Sequence, residues 1–308
     1  MIVVLTGGTG GAKLIEGLSH VIDAAQLTVV CNTADDFVFH GLNISPDLDT
    51  IMYTLAGMSD RAKGWGIQDD TFTVLTQLER LGAKTWFKLG DRDIATHIAR
   101  THLLSAGLKL SDITDRLRNT LGIKTRILPM SDDTIATRVE TPAGEISFQE
   151  YFVKQGWQAE VNDVFYAGVE KSRPAPGVLE AIHAAAGIIV CPSNPVTSIG
   201  PILAVPGIRD ALKRVNVSIV GVSPMIGKSA ISGPAHKLMA AQGMESSALG
   251  VAKGYADFLD QFVIDNEDEA LTKKLETLGI GVVKTSIRMK TLADKQALAR
   301  QVLALVEK

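Results

Sequence analysis

A run of glycines, Thr6-Gly7-Gly8-Thr9-Gly10-Gly11-Ala12-Lys13, follows the apolar stretch Ile2–Leu5 and opens a helical pattern. Glycines at a strand-to-helix turn let the backbone approach an anion, and the free N–H groups at a helix start favour phosphate. Two familiar signatures fail here. A dinucleotide fingerprint anchored at Gly8 and Gly10 wants Gly or Ala where Lys13 stands, and a Walker-type loop from Gly7 wants Gly and a hydroxyl residue where Ala12 and Leu14 stand. The stretch Gly221–Ser229 resembles a second phosphate loop, but it has five residues between Gly221 and Gly227 where four are required, and Pro224 removes a donor. Gly227, Lys228 and Gly233 stay candidates for a phosphate-adjacent loop.

Acidic chemistry clusters after the next apolar run, Leu27–Cys31. Asn32-Thr33-Ala34-Asp35-Asp36-Phe37 is followed by His40-Gly41-Leu42 and Ser45-Pro46-Asp47-Leu48-Asp49-Thr50. Asp47 reads as a cap for a helix over Leu48–Leu55. Asp35, Asp36 and Asp49, beside a phosphate loop, are of the type that binds Mg²⁺, which takes one or two protein carboxylates and otherwise water or phosphate oxygens. A third loop, Cys191-Pro192-Ser193-Asn194-Pro195-Val196-Thr197-Ser198-Ile199-Gly200, offers hydroxyl, amide and glycine groups suited to a nucleotide. The six histidines lack metal-site spacing, and with two cysteines a zinc site or a thiol nucleophile is disfavoured.

Positioning three such loops at strand ends requires a parallel sheet. Strands are expected at Ile2–Leu5, Leu27–Cys31, Thr125–Leu128, Ile188–Cys191, Val217–Val222 and Gly281–Thr285. Helices are expected at 12–21, 71–81, 94–106, 110–121, 177–186, 208–215, 267–278 and 292–307. This is βαβ grammar. It predicts an α/β fold over residues 1–308: a single three-layer, Rossmann-like, doubly wound and mostly parallel sheet. A largely helical insertion is expected at about 50–120, with a β-hairpin near 137–148. Ligands of such sheets bind at the carboxyl ends of strands. Composition agrees, since aromatic residues are only 5% and apolar mass comes from aliphatic side chains. A net charge of −3 without basic blocks argues against nucleic acid as a partner. Neither a signal peptide nor a membrane span is expected, which places the protein in the cytoplasm without a membrane partner.

Taken in order, GGTGGAKL at 7–14, VCNTADDF at 30–37, HGLNISPDLDT at 40–50, WFKLGDRD at 86–93, CPSNPVTSIGPIL at 191–203 and SPMIGKSAISGPAHKLM at 223–239 resemble the 2-phospho-L-lactate transferase family of coenzyme F420 biosynthesis. The resemblance implies transfer of a phospholactyl group from lactyl-2-diphospho-5′-guanosine to the terminal ribityl hydroxyl of the deazaflavin FO, giving F420-0 and GMP, with Mg²⁺ as cofactor. It implies that Gly8, Thr9, Gly10, Gly11 and Lys13, with Asn32, Thr33, Asn194, Pro195, Ser198, Ile199 and Gly200, hold the nucleotide and its phosphates. Asp49 and Lys88 would contact FO, with Trp86 and Arg92 beside them. Asp35, Asp36 and Asp49 are its catalytic and metal-binding candidates. For Trp86 a core aromatic is the favoured reading over stacking on the deazaflavin, and Arg92 and Asp93 read as easily as partners of each other as of substrate. The family implies a homodimer, and phosphoenolpyruvyl or 3-phosphoglyceryl donors also occur in it. A related branch, nucleotide-sugar-binding regulators resembling gluconeogenesis factors, shares both loops. Its acidic loop continues with glycine and serine where this chain has Phe37-Val38-Phe39-His40, which favours the transferase. A dehydrogenase is disfavoured by Lys13 and by Cys31-Asn32 where an acidic ribose partner belongs.

Overall fold

The runs Ile2–Thr6, Leu27–Cys31 and Gly187–Val190 are buried along their whole length, which requires a strand covered on both faces. In the computed structural model, which describes residues 1–227, 229–230 and 233–307, they form the middle of a seven-stranded sheet. Its strands are β1 (Ile2–Thr6), β2 (Leu27–Cys31), β3 (Arg126–Pro129), β4 (Gly187–Val190), β5 (Ile219–Val222), β6 (Gln261–Ile264) and β7 (Gly281–Lys284). The order is β7-β6-β5-β4-β1-β2-β3, and every pairing is parallel. Side chains alternate between two cores: Val3 and Leu5 enter one, Ile2 and Val4 the other. The fold is therefore the doubly wound, Rossmann-like α/β architecture that the alternating runs predict.

The topology locates the ligand crevice. The chain builds outward from β1 through β2 to β3, then returns to the other side of β1 with β4 and builds the opposite way. The reversal lies between β1 and β4, where the glycine loop and the loop after residue 190 meet. There the Ser193 hydroxyl donates to the Gly7 carbonyl at 2.7 Å.

Helix α1 (Gly8–Ser19) leaves the glycine loop, and α2 (Pro46–Leu55) packs on it, burying Leu48, Ile51 and Met52. Helices α3 (Thr73–Arg80), α4 (Asp91–Ser105) and α5 (Leu110–Thr120) follow. Two short strands, Phe37–Phe39 and Leu42–Ile44, pair before α2, and Ala136–Thr141 pairs antiparallel with both Gly144–Ser147 and Asp163–Ala167.

Strand β6 is absent from the expected strands: its four residues, Gln261–Ile264, are a short apolar run set off from Phe258-Leu259 by Asp260. The single helix expected at 267–278 is a 3₁₀ turn, Asn266–Leu271, followed by Thr272–Glu276, wound tightly where the Asp265 carboxylate accepts from the Glu267 amide at 3.2 Å. No helix of the described residues is long and apolar enough to cross a membrane.

Candidate active site

A cleft of about 590 Å³ opens at the carboxyl ends of β1 and β2, within the size of small-ligand sites. Its floor is the glycine loop. Gly7 is extended, and α1 begins at Gly8 with no side-chain cap and no acidic residue in its first turn, so the helix start faces the cleft uncapped by its own neighbours. Gly10 has a different reason to be glycine: a Cβ there would lie 2.4 Å from the Pro192 carbonyl oxygen. Gly10→Ala must push the two loops apart, and we expect it to lower stability by about 1–3 kcal/mol in thermal denaturation. An unchanged melting temperature would mean that the loops meet loosely.

Carboxylates converge above this floor. Asp47 lines the cleft and accepts from the Asn32 amide at 2.9 Å. Burial pushes its carboxyl up to about 6, against the pull of Asn32 and the Gly8 amide. Asp35 also lines the cleft, and burial, then the Asp47 charge, raise its carboxyl well above the usual range. One Asp35 oxygen, Oδ1, is buried without a partner. Asp36 does not line the cleft; it accepts from the Ser45 hydroxyl at 2.6 Å behind the loop, and burial raises its carboxyl too.

Asp49 lies deeper and is gripped at both oxygens by the buried Arg100, Nη1 reaching Oδ2 at 3.1 Å and Nη2 reaching Oδ1. Arg100 Nη1 also sits 3.2 Å from His97 Nδ1. Since a guanidinium only donates, Nδ1 accepts and the imidazole proton is on Nε2, which lies 3.2 Å from Asp93 Oδ1 without the alignment of a hydrogen bond. The Tyr53 hydroxyl donates to the same Asp93 oxygen at 2.7 Å. Asp49, Asp93 and His97 are close enough to share a cation. Arg100 already supplies a positive charge beside Asp49, while His97 Nε2 has no aligned acceptor among the described residues. Asp35 and Asp47, mutually repelling and with an orphaned oxygen, are the carboxylates whose chemistry fits a divalent cation.

Reciprocal capping sets α4 in place. The Asp70 carboxylate accepts from the Arg92 and Asp93 amides at 2.9 and 3.1 Å, while the Asp91 carboxylate accepts from the Thr71 hydroxyl at 2.6 Å and from the Thr73 and Val74 amides at the start of α3; the Thr71 bond first, then these amides, hold it at about 2. Asp93 and His97 then project together, four residues apart on one helix face.

Aromatic side chains wall the rest of the cleft. Trp86 packs edge-on against Phe39 at 5.1 Å and Phe87 at 5.9 Å, so it is a core aromatic, and it also lines the cleft. Trp65, Phe148 and Phe152 line it from other segments. Lys88 stands exposed at the rim.

The expected residues divide cleanly. Gly8, Thr9, Gly10, Asp35, Asp49, Trp86, Lys88, Asn194 and Ser198 line the cleft. Gly11, Asn32, Thr33, Pro195, Ile199 and Gly200 do not: Asn32 bridges Asp47 and the Thr197 carbonyl, and Gly200 makes room for Tyr166. Arg92 turns away, its guanidinium donating to the Gln68 carbonyl at 3.1 Å rather than to Asp93. Lys13 faces a second cavity. Lys228 lies outside the described residues. Burial pushes the Cys191 thiol up to about 12 and Cys31 well up, which suits neither for nucleophilic chemistry. Asp47, Asp93, His97, Trp65 and Phe152 are site residues that the sequence reading left out. The Asp-x-x-x-His spacing on α4 was the one available signal for two of them.

Comparison with known proteins gives the chain its family. The family model for 2-phospho-L-lactate transferase CofD matches residues 2–304. The chain is 42% identical over 303 residues to a 2-phospho-L-lactate transferase of Methanococcoides burtonii, covering 98% of each. It is 45% identical over 312 residues to a phosphoenolpyruvate transferase of Streptomyces griseus, covering 99% of this chain and 98% of that one. A solved UPF0052-family protein of Bacillus halodurans shares the fold with a TM-score of 0.65 at 18% identity, covering 98% of both chains. With a family model matching almost the full length and curated relatives 42–45% identical over it, the chain belongs to the 2-phospho-L-lactate transferase CofD family.

Proposed function

We infer that the protein transfers a phospholactyl group from lactyl-2-diphospho-5′-guanosine to the ribityl hydroxyl of the deazaflavin FO, forming F420-0 and releasing GMP. The observation that carries this reading is one cleft joining a glycine loop at a helix start, buried carboxylates and aromatic walls. A flat tricyclic acceptor matches the aromatic side chains, and a diphosphate matches the floor. The acceptor oxygen bonds to the phosphorus carrying the three-carbon acid. The bond from that phosphorus to the bridging oxygen breaks, and its electron pair leaves with GMP. Backbone N–H groups of the glycine loop offset the charge on the phosphoryl oxygens, and a cleft carboxylate takes the hydroxyl proton. Asp35 and Asp47 would hold Mg²⁺, which supplies further positive charge against the diphosphate.

The carbon acid has a second reading, phosphoenolpyruvyl, favoured by the Streptomyces griseus relative. Incubation of the enzyme, Mg²⁺ and FO with each donor, following GMP release and the product mass, tests both. Release dependent on FO supports the transfer, and the donor giving the higher kcat/KM names the acid. Saturable FO binding is expected by deazaflavin fluorescence. Tight binding of a UDP-sugar with no FO binding would sink the transferase reading.

A further inference from the structure

Between α2 and α3 the chain makes a short hairpin over residues 58–68. The Gln68 amide donates to the Met58 carbonyl at 2.8 Å and the Asp60 amide to the Gly66 carbonyl at 3.1 Å, with Ser59 and Ile67 bridged antiparallel between them. Its base is fixed. Ile67 is buried, and the Met58 and Ser59 amides both donate to the Tyr53 carbonyl on α2, at 2.8 and 3.1 Å. Its turn is wound on Asp60, whose carboxylate accepts from the Ala62 and Lys63 amides at 2.9 and 3.2 Å. The tip reaches the glycine loop: a Cβ built on Gly64 would lie 3.7 Å from the Thr9 side chain, and Arg61 stands 4.0 Å from Glu16 on α1. Gly64 and Gly66, at φ of +79° and +72°, bracket Trp65 with the left-handed backbone that glycine adopts freely. Trp65 lines the cleft and is nevertheless 42% exposed. Phe152 and Val153, from another segment, are also exposed while lining it.

Transfer to a hydroxyl has a competitor in water. The water oxygen would bond to the same phosphorus, the bond from phosphorus to the bridging oxygen would break with its electron pair leaving on GMP, and one water proton would be released. The products are GMP and the free phosphorylated three-carbon acid. A floor of backbone N–H groups beside carboxylates attracts water, so a transferase of this kind needs an apolar cover where the phosphorus reacts. We propose that Trp65 is the water-excluding residue of the transfer: the hairpin holds its indole beside Thr9, over the reacting phosphorus, so that the acceptor hydroxyl enters and water does not. An indole left this open adds little to the core, and a donor bound beneath it completes its burial. The inference rests on the transferase reading above and adds to it which residue decides between transfer and hydrolysis.

The test counts both products. Wild type, Trp65→Ala and Trp65→Phe are incubated with Mg²⁺ and the preferred donor, without FO and at saturating FO, and F420-0 and the free phosphorylated acid are quantified by mass. Decay of the donor in enzyme-free controls is subtracted. Trp65 sits at an exposed tip, so folding is retained and is checked by thermal denaturation. Trp65→Ala should form the free acid about tenfold faster per enzyme than wild type, at saturating FO as well as without it, while Trp65→Phe, which keeps an apolar ring, should stay within about threefold. A residue that only supports the fold or only binds FO would slow transfer without speeding hydrolysis. If wild type forms F420-0 and Trp65→Ala releases free acid no faster than it does, or if Trp65→Phe releases it as fast as Trp65→Ala, the inference is overturned and the transferase reading stands. If wild type forms no F420-0 from any of the donors, the transferase reading falls and this inference with it.

Discussion

Asp35→Asn should make the ligand-free protein more stable at pH 7.5 and nearly inactive. The Asp35 carboxyl is buried, faces the Asp47 charge and leaves Oδ1 without a partner. Removing an unsatisfied buried charge is worth about 1–3 kcal/mol. The same change removes a ligand of the proposed cation site, with an expected loss of turnover on the order of 10²–10³. The pH dependence follows from linkage. Asp35 and Asp47 hold their protons more tightly folded than unfolded, so from the ordinary carboxylate range upward, to about 6 for Asp47, the folded chain binds more protons than the unfolded one. Their contribution to stability is therefore present at low pH and is lost as pH rises through that window. Urea denaturation at pH 5 and 7.5 should show Asp35→Asn with a smaller loss across the interval than wild type. A variant less stable than wild type at pH 7.5 would show that the carboxylate is held by favourable contacts, and one with normal turnover would remove it from the site.

A strained, repelling carboxylate pair is what a sequence does not display, and this sets the limit of what could be read from it. The strands were legible because a parallel sheet buried on both faces needs unbroken β-branched runs such as Ile2–Leu5 and Leu27–Cys31. The glycine loop was legible because its composition has few other uses. Asp35 and Asp49 were found as an acidic cluster, but their roles depend on partners remote in sequence. Arg100 lies 51 residues from the Asp49 it neutralises, and Asp70 caps a helix starting 21 residues later, so neither contact leaves a local pattern. Asp47 was assigned to helix capping because its position at the start of α2 is where caps occur; in the structure its side chain turns to Asn32 instead. Pro195 and Gly200 were expected as nucleotide contacts from the resemblance; neither lines the cleft, and Gly200 leaves room for Tyr166.

Asp49→Ala should abolish both turnover and much of the stability, and for that reason turnover alone says little about Asp49. Arg100 is 1% exposed, and without Asp49 its guanidinium is left buried beside His97 with the Asn43 carbonyl at 3.4 Å and the charge of Asp36 as weaker attractions. Breaking one side of a buried pair costs about 3–5 kcal/mol, whereas replacing both partners with apolar residues is often neutral or stabilising. The double variant Asp49→Leu, Arg100→Met separates the two roles. It should recover most of the urea midpoint lost in Asp49→Ala. It should not recover activity, because Asp49 lines the cleft between the glycine loop and Lys88, and FO binding followed by fluorescence should stay weakened by about tenfold or more. Recovery of turnover together with stability would reduce Asp49 to a structural counter-ion. Full stability in Asp49→Ala itself would mean that water reaches Arg100, against the burial that defines this part of the site.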